Sequence, residues 1–162
     1  MILSAYFSHP IRGTKGPDAT AQDIIENCEH CSEVAHQIER ETGITLYIPA
    51  DHDEVINLAF THGHITERGI LEADCRILAK RDFVLAYARE GHVSRGMKVE
   101  IEHALAIDIP VFIFEHWNDA SGRFKIFIRC TEENYVCGLC GQFLLDATNT
   151  KMSRHNYLTE NH

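Results

Sequence analysis

The stretch that decides the fold is Phe83-Val84-Leu85-Ala86-Tyr87-Ala88, then Arg89-Glu90-Gly91-His92-Val93-Ser94-Arg95-Gly96-Met97-Lys98-Val99-Glu100-Ile101-Glu102-His103-Ala104-Leu105, then Ile109-Pro110-Val111-Phe112-Ile113-Phe114. An apolar run, a loop, a helical pattern and a second apolar run make one strand-helix-strand unit, whose economical form is a right-handed crossover between parallel strands. Working upstream, residues 2–7 read as a buried strand entering a turn-rich loop. Residues 19–42 keep Ile24, Ile25, Cys28, Cys31, Val34, Ala35 and Ile38 at helical spacing, with Gly43 as the stop. Residues 44–49 give a second strand. Residues 50–64, rich in Asp and His, read as a surface loop able to close over a pocket. Residues 66–81 form a further helix. The alternation predicts an α/β fold, a Rossmann-like (flavodoxin-like) parallel sheet flanked by helices, over residues 1–115. Residues 116–162 read as a C-terminal extension: one more strand at 124–130, a cysteine-containing loop, and a tail that is polar after Asp146.

Within the deciding stretch, a helix beginning near Gly96 lines up Met97, Glu100, Ile101, Ala104 and Leu105 on one face. Glu100 is therefore a carboxylate on an inward stripe, in the first turns, where free N–H groups and the helix dipole favour its ionised form. The helix at 66–81 repeats the anomaly, with Asp74 among Ile70, Ile77 and Leu78. A single such acid is most often a capped or partly exposed structural residue, since buried carboxylates are usually paired. Two of them, each beside a predicted strand, point to a site.

The chain has 162 residues, 15 basic against 24 acidic, for a formal charge of −9. One domain of this size buries most of its apolar surface without staples. The acidic balance argues against a nucleic-acid or anionic-membrane partner, so any anionic ligand must be held by a local pocket. The opening MILSAYFSHP lacks the pattern of a secretion signal, and no apolar run approaches bilayer-spanning length, so the expected location is cytoplasmic. Six cysteines then read as free thiols or metal ligands. Cys28 and Cys31 continue a helix's apolar stripe and read as core. Cys137 and Cys140, flanked by glycine, together with Cys130 are the candidates for a structural zinc, and no other cofactor is expected.

Tyr6-Phe7-Ser8-His9-Pro10-Ile11-Arg12-Gly13, Asp74 with Asp82 eight positions on, and Ser94-Arg95-Gly96-Met97-Lys98-Val99-Glu100-Ile101-Glu102-His103-Ala104 together resemble the nucleoside 2-deoxyribosyltransferase superfamily across about residues 2–114. The closest branch hydrolyses the N-glycosidic bond of nucleoside 5'-monophosphates: it carries Ser where Ser94 stands, six residues before the nucleophile, and an Ile-Arg-Gly loop. The resemblance implies Glu100 as nucleophile, Asp74 protonating or orienting the leaving base, and Tyr6 positioning the nucleophile. It implies Ser8, His9, Ile11, Arg12, Gly13, Ser94 and Gly96 around the substrate and its phosphate, where a guanidinium fork suits phosphate oxygens. A homo-oligomer, commonly a dimer, is implied as well.

The chain departs from the family at Glu102, which stands for a usual Gly, and at Ser8-His9, which replace small residues. Read without the family, Ser94 is equally a helix N-cap. Two other functions stay open: a nucleoside 2-deoxyribosyltransferase exchanging bases, and a catalytically silent nucleotide-binding module.

Overall fold

A computed structural model describes residues 2–115 and 117, together with two short strands at 123–126 and 141–144. In chain order the elements are β1 (Ser4–Ser8), α1 (Ala21–Thr42), β2 (Thr45–Tyr47), α2 (Asp53–Thr61), α3 (Glu67–Leu78), β3 (Phe83–Tyr87), α4 (Arg95–Ala106), β4 (Val111–Phe114), β5 (Arg123–Ile126) and β6 (Gly141–Leu144). The first four strands form one all-parallel sheet in the order β2-β1-β3-β4, and β5 pairs with β6 antiparallel. This is the Rossmann-like α/β architecture that the strand and helix alternation predicts. No helix among the described residues is long and apolar enough to cross a membrane.

Helix ends follow local chemistry. Thr20 and Asp23 form a capping box at the start of α1, and Gly43 closes its end at φ +70°. The Thr66 hydroxyl accepts from the amide of Gly69, and that of Ser94 from the amide of Met97, each satisfying an orphan donor of a helix's first turn. Asp82 fastens the strands where they begin: its carboxylate accepts from the amide and hydroxyl of Ser4 at 2.7 and 3.0 Å. Asp82, half of the Asp-x7-Asp spacing, thus ties the start of β1 to that of β3.

Strand alternation divides the core between the two sheet faces. Ala5, Phe7, Leu85, Tyr87, Phe112 and Phe114 pack with Cys31, Ala35 and Ile38 of α1. Tyr6, Val84, Ala86 and Val111 pack with Leu78 of α3 and with Met97, Ile101 and Ala104 of α4. Cys28 and Cys31 are buried, as core residues of α1.

One expectation is corrected. Residues 50–64 are not an open loop: a 3-10 turn at Pro49–His52 leads into α2. Asp53 and Glu54 complement the first turn's free amides. No residue of α2 is buried, and Val55, Leu58 and Phe60 are exposed. An inward stripe is the usual mark of a helix in sequence, and α2 lacks one. The strand expected at 124–130 is β5, at Arg123–Ile126; the rest of that range lies outside the described residues, as do Cys130, Cys137, Cys140 and the polar tail.

Candidate functional site

In the strand order β2-β1-β3-β4 the connections leave β1 toward β2 on one side and run through β3 to β4 on the other, so the topology switches between β1 and β3. Open α/β sheets bind ligands beyond the carboxyl ends of the strands at such a point. The residues that end β1 there are Tyr6, Phe7 and Ser8. Tyr6 and Ser8, two apart, share the face covered by α3 and α4; Phe7 faces α1.

Glu100 descends onto that face from α4 and is 7% exposed. The Tyr6 hydroxyl donates to its Oε1 at 2.8 Å and the Ser8 hydroxyl to its Oε2 at 2.5 Å. Asp74 reaches the same place from α3, also 7% exposed. Burial pushes the Glu100 carboxyl up to about 7, against the hydroxyl bonds from Ser8 and Tyr6 that favour its ionised form; the charge of Asp74 adds to the rise. Burial likewise pushes Asp74 up to about 6. The Tyr6 phenol is raised well above its ordinary value by burial and by both acids, so it stays a hydrogen-bond donor throughout the working pH range.

Two acids this close titrate as a pair and carry about one proton near neutral pH. The hydroxyls of Ser8 and Tyr6 oppose the rise at Glu100, and Tyr6 opposes it at Asp74, yet burial leaves Glu100 the higher of the two. The form with Glu100 charged and Asp74 protonated, one nucleophile and one acid, is therefore the less populated of two singly protonated forms and is reached by a proton shift within the pair.

Tyr47 and Asn27 belong to the site's surroundings and escaped the sequence reading. Tyr47, in register with Tyr6, stacks on it at 5.7 Å and on His52 at 5.1 Å. The Arg81 guanidinium lies 5.6 Å from the Tyr47 ring centre. Burial and the nearby Asp74 raise the Tyr47 phenol. Asn27 is buried on α1, and its Nδ2 donates to the carbonyls of Pro10 and Ile11. Its side chain also fills the space beside Gly13: a Cβ there would sit 3.1 Å from Asn27 Oδ1, at a φ of +56° that favours glycine. The loop after β1 is thus held in one conformation from below. Asn27 stands three residues after Ile24 and one before Cys28, a polar residue on an apolar stripe; the anomaly that picks out Glu100 and Asp74 would have found it.

The remaining expected residues are distributed as follows. Arg12 and Ile11 are exposed on the loop after β1. Ser94 caps α4, and Gly96 lies in its first turn with only ordinary contact distances where a Cβ would stand, 3.6 Å to Leu71. His9 turns to the α1 side, its ring 5.8 Å from Phe7. It is buried with neither ring nitrogen hydrogen-bonded among the described residues, and burial lowers it to about 4, so it is neutral. Glu102 is exposed, on a different side of α4 from Glu100, and does not narrow the space around the acids. Among the described residues no group of three or more His, Cys, Asp and Glu side chains could hold a metal ion.

No protein-family model, no curated protein and no solved structure matches this chain.

Proposed function

We propose that the protein hydrolyses the N-glycosidic bond of a nucleoside 5'-monophosphate, giving the free base and a (deoxy)ribose 5-phosphate. The observation that carries this reading is the meeting of two buried carboxylates, from α3 and α4, beside the Tyr6 hydroxyl at the switch point of the sheet. Cleavage of a C1'–N bond builds positive charge on the sugar and negative charge on the base. A charged Glu100 and a protonated Asp74 answer both.

In the first step a Glu100 oxygen bonds to C1', the C1'–N bond breaks with its electron pair going to the base, and the Asp74 proton neutralises the base. In the second, water attacks C1' and gives a proton to the Asp74 carboxylate, and the ester's electron pair returns to Glu100. The pair is thereby reset, following the logic of retaining glycoside hydrolysis.

The phosphate reading rests on loop and helix. The N-terminus of α4 offers free amides and a positive dipole beside Ser94, and Arg12 is exposed on the loop that Asn27 braces. In a chain of formal charge −9, such a local cradle is what a phosphate requires. The reading includes a cytoplasmic enzyme without a cofactor and a homo-oligomer. The exposed Val55, Leu58 and Phe60 of α2, and an apolar groove lined by Leu71, Cys75, Ala79, Val99 and Ile107 between α3 and α4, are the surfaces that support the last.

The test is a panel of ribo- and deoxyribonucleoside 5'-monophosphates followed by NMR for free base and sugar phosphate, with and without a second base. Equimolar base and sugar phosphate from monophosphates, and none from the free nucleosides, is the expected outcome. Formation of a new nucleoside from the added base would identify a transferase instead. Nucleotide binding with no base release from any member would identify a silent binding module.

A further inference from the structure

The end of β1 presents not one hydroxyl to Glu100 but two, each to a different oxygen of the same carboxylate: Tyr6 to Oε1 and Ser8 to Oε2. The resemblance implies a positioning role for Tyr6 and none of this kind for Ser8, where the family carries a small residue. Ser8 is fully buried and lies in ladder register with Ala86 of β3, so the sheet fixes the place of its hydroxyl. Its neighbours in register and on its face, Tyr6, Val84 and Ala86, belong to the apolar cluster under α3 and α4.

Resting on the proposed glycosidase reading, we infer that Ser8 is a positioning residue for the nucleophile: with Tyr6 it pins both oxygens of the Glu100 carboxylate and so sets which lone pair faces the sugar. One donor leaves a carboxylate free to rotate about its last bond; two donors on separate oxygens fix its plane. The bond from Ser8 is made to a full charge before attack, weakens as the Glu100 oxygen is esterified at C1', and strengthens again when water breaks that ester. Ser8 therefore favours the ionised form at both ends of the cycle and promotes departure of Glu100 from the intermediate. A residue serving only to fill space would have no such dependence.

The test compares the parent with Ser8→Ala and Ser8→Cys on a mononucleotide that the parent cleaves. In Ser8→Ala, kcat falls about tenfold, KM changes less than about twofold, and the midpoint of the bell-shaped kcat profile moves up by about half a pH unit. Ser8→Cys, which keeps a weaker donor, lies between the two. A profile midpoint in Ser8→Ala that coincides with the parent's overturns the inference, whatever happens to the rate. A readout independent of turnover is a 13C NMR titration of glutamate-labelled protein, with Glu100→Gln identifying the resonance. A higher Glu100 midpoint in Ser8→Ala than in the parent supports the inference, and equal midpoints overturn it. Absence of base release from the parent defeats the glycosidase reading instead, and the titration then decides whether Ser8 governs Glu100.

Discussion

Replacing Glu100 with glutamine abolishes base release, a loss of roughly ten-thousand-fold or more, while making the protein more stable at pH 8. The loss follows from removing the atom that bonds to C1'. The gain follows from burial. Glu100 has an ordinary value of 4.5 and is raised to about 7 in the folded chain, so ionising it costs the native state more than the unfolded one. That penalty is absent below pH about 4.5 and complete above about 7, where it amounts to something on the order of 3 kcal/mol. Glutamine carries no charge, and its amide still offers the Tyr6 and Ser8 hydroxyls an acceptor and a donor. Thermal melts should therefore separate variant from parent at pH 8, with the variant higher, and bring them together near pH 4.5. A variant that melts below the parent at pH 8 would contradict the electrostatic description of the site.

Asp74→Asn should reduce kcat by roughly a hundred- to thousandfold and leave nucleotide binding largely intact, because it removes proton transfer and keeps shape. The loss should depend on the leaving base. A base that departs easily without protonation should be cleaved by Asp74→Asn nearly as well as by the parent, whereas a base that needs the proton should show the full deficit. The pH profile carries the same information. In the parent, activity falls on the acid side as Glu100 takes up its proton and on the alkaline side as Asp74 loses its own, giving a bell in the range where burial has placed both acids. In Asp74→Asn the alkaline limb should vanish and the acid limb remain. Steady-state kinetics on two mononucleotides of unlike leaving ability, over pH 5 to about 9, distinguish these outcomes; an equal loss for both bases would remove Asp74 from proton transfer.

The parallel sheet was legible in the sequence because four short apolar runs, each followed or preceded by a helical period, leave little choice of topology. Glu100 and Asp74 were legible for a related reason. A carboxylate on an inward stripe must be accounted for, and both prove to be buried and to face the same tyrosine. Helix α2 was not legible, because periodicity reports burial, and no side chain of α2 is buried. Ser8 looked like part of the phosphate loop, yet strand parity puts it on the Tyr6 face and its hydroxyl on Glu100. The same parity carries His9 to the other face. Tyr47 depends on the β1–β2 register, which pairs it with Tyr6 and which no local pattern in the chain reveals. Asn27 is different: its signal was present, a polar residue on the α1 stripe, and its partners are backbone carbonyls of the loop after β1.

The central claim is that Glu100 becomes covalently attached to the sugar. A 2'-fluoro-2'-deoxynucleoside 5'-monophosphate, whose fluorine disfavours the positive charge needed to break the ester, should lengthen the life of that intermediate. Acid-quenched protein examined by intact mass and peptide mapping should carry one added fluorodeoxyribose phosphate, on the peptide containing Glu100, and Glu100→Gln should carry none. Release of base from this substrate by the parent with no adduct at any time, or with the adduct on a peptide lacking Glu100, would contradict it.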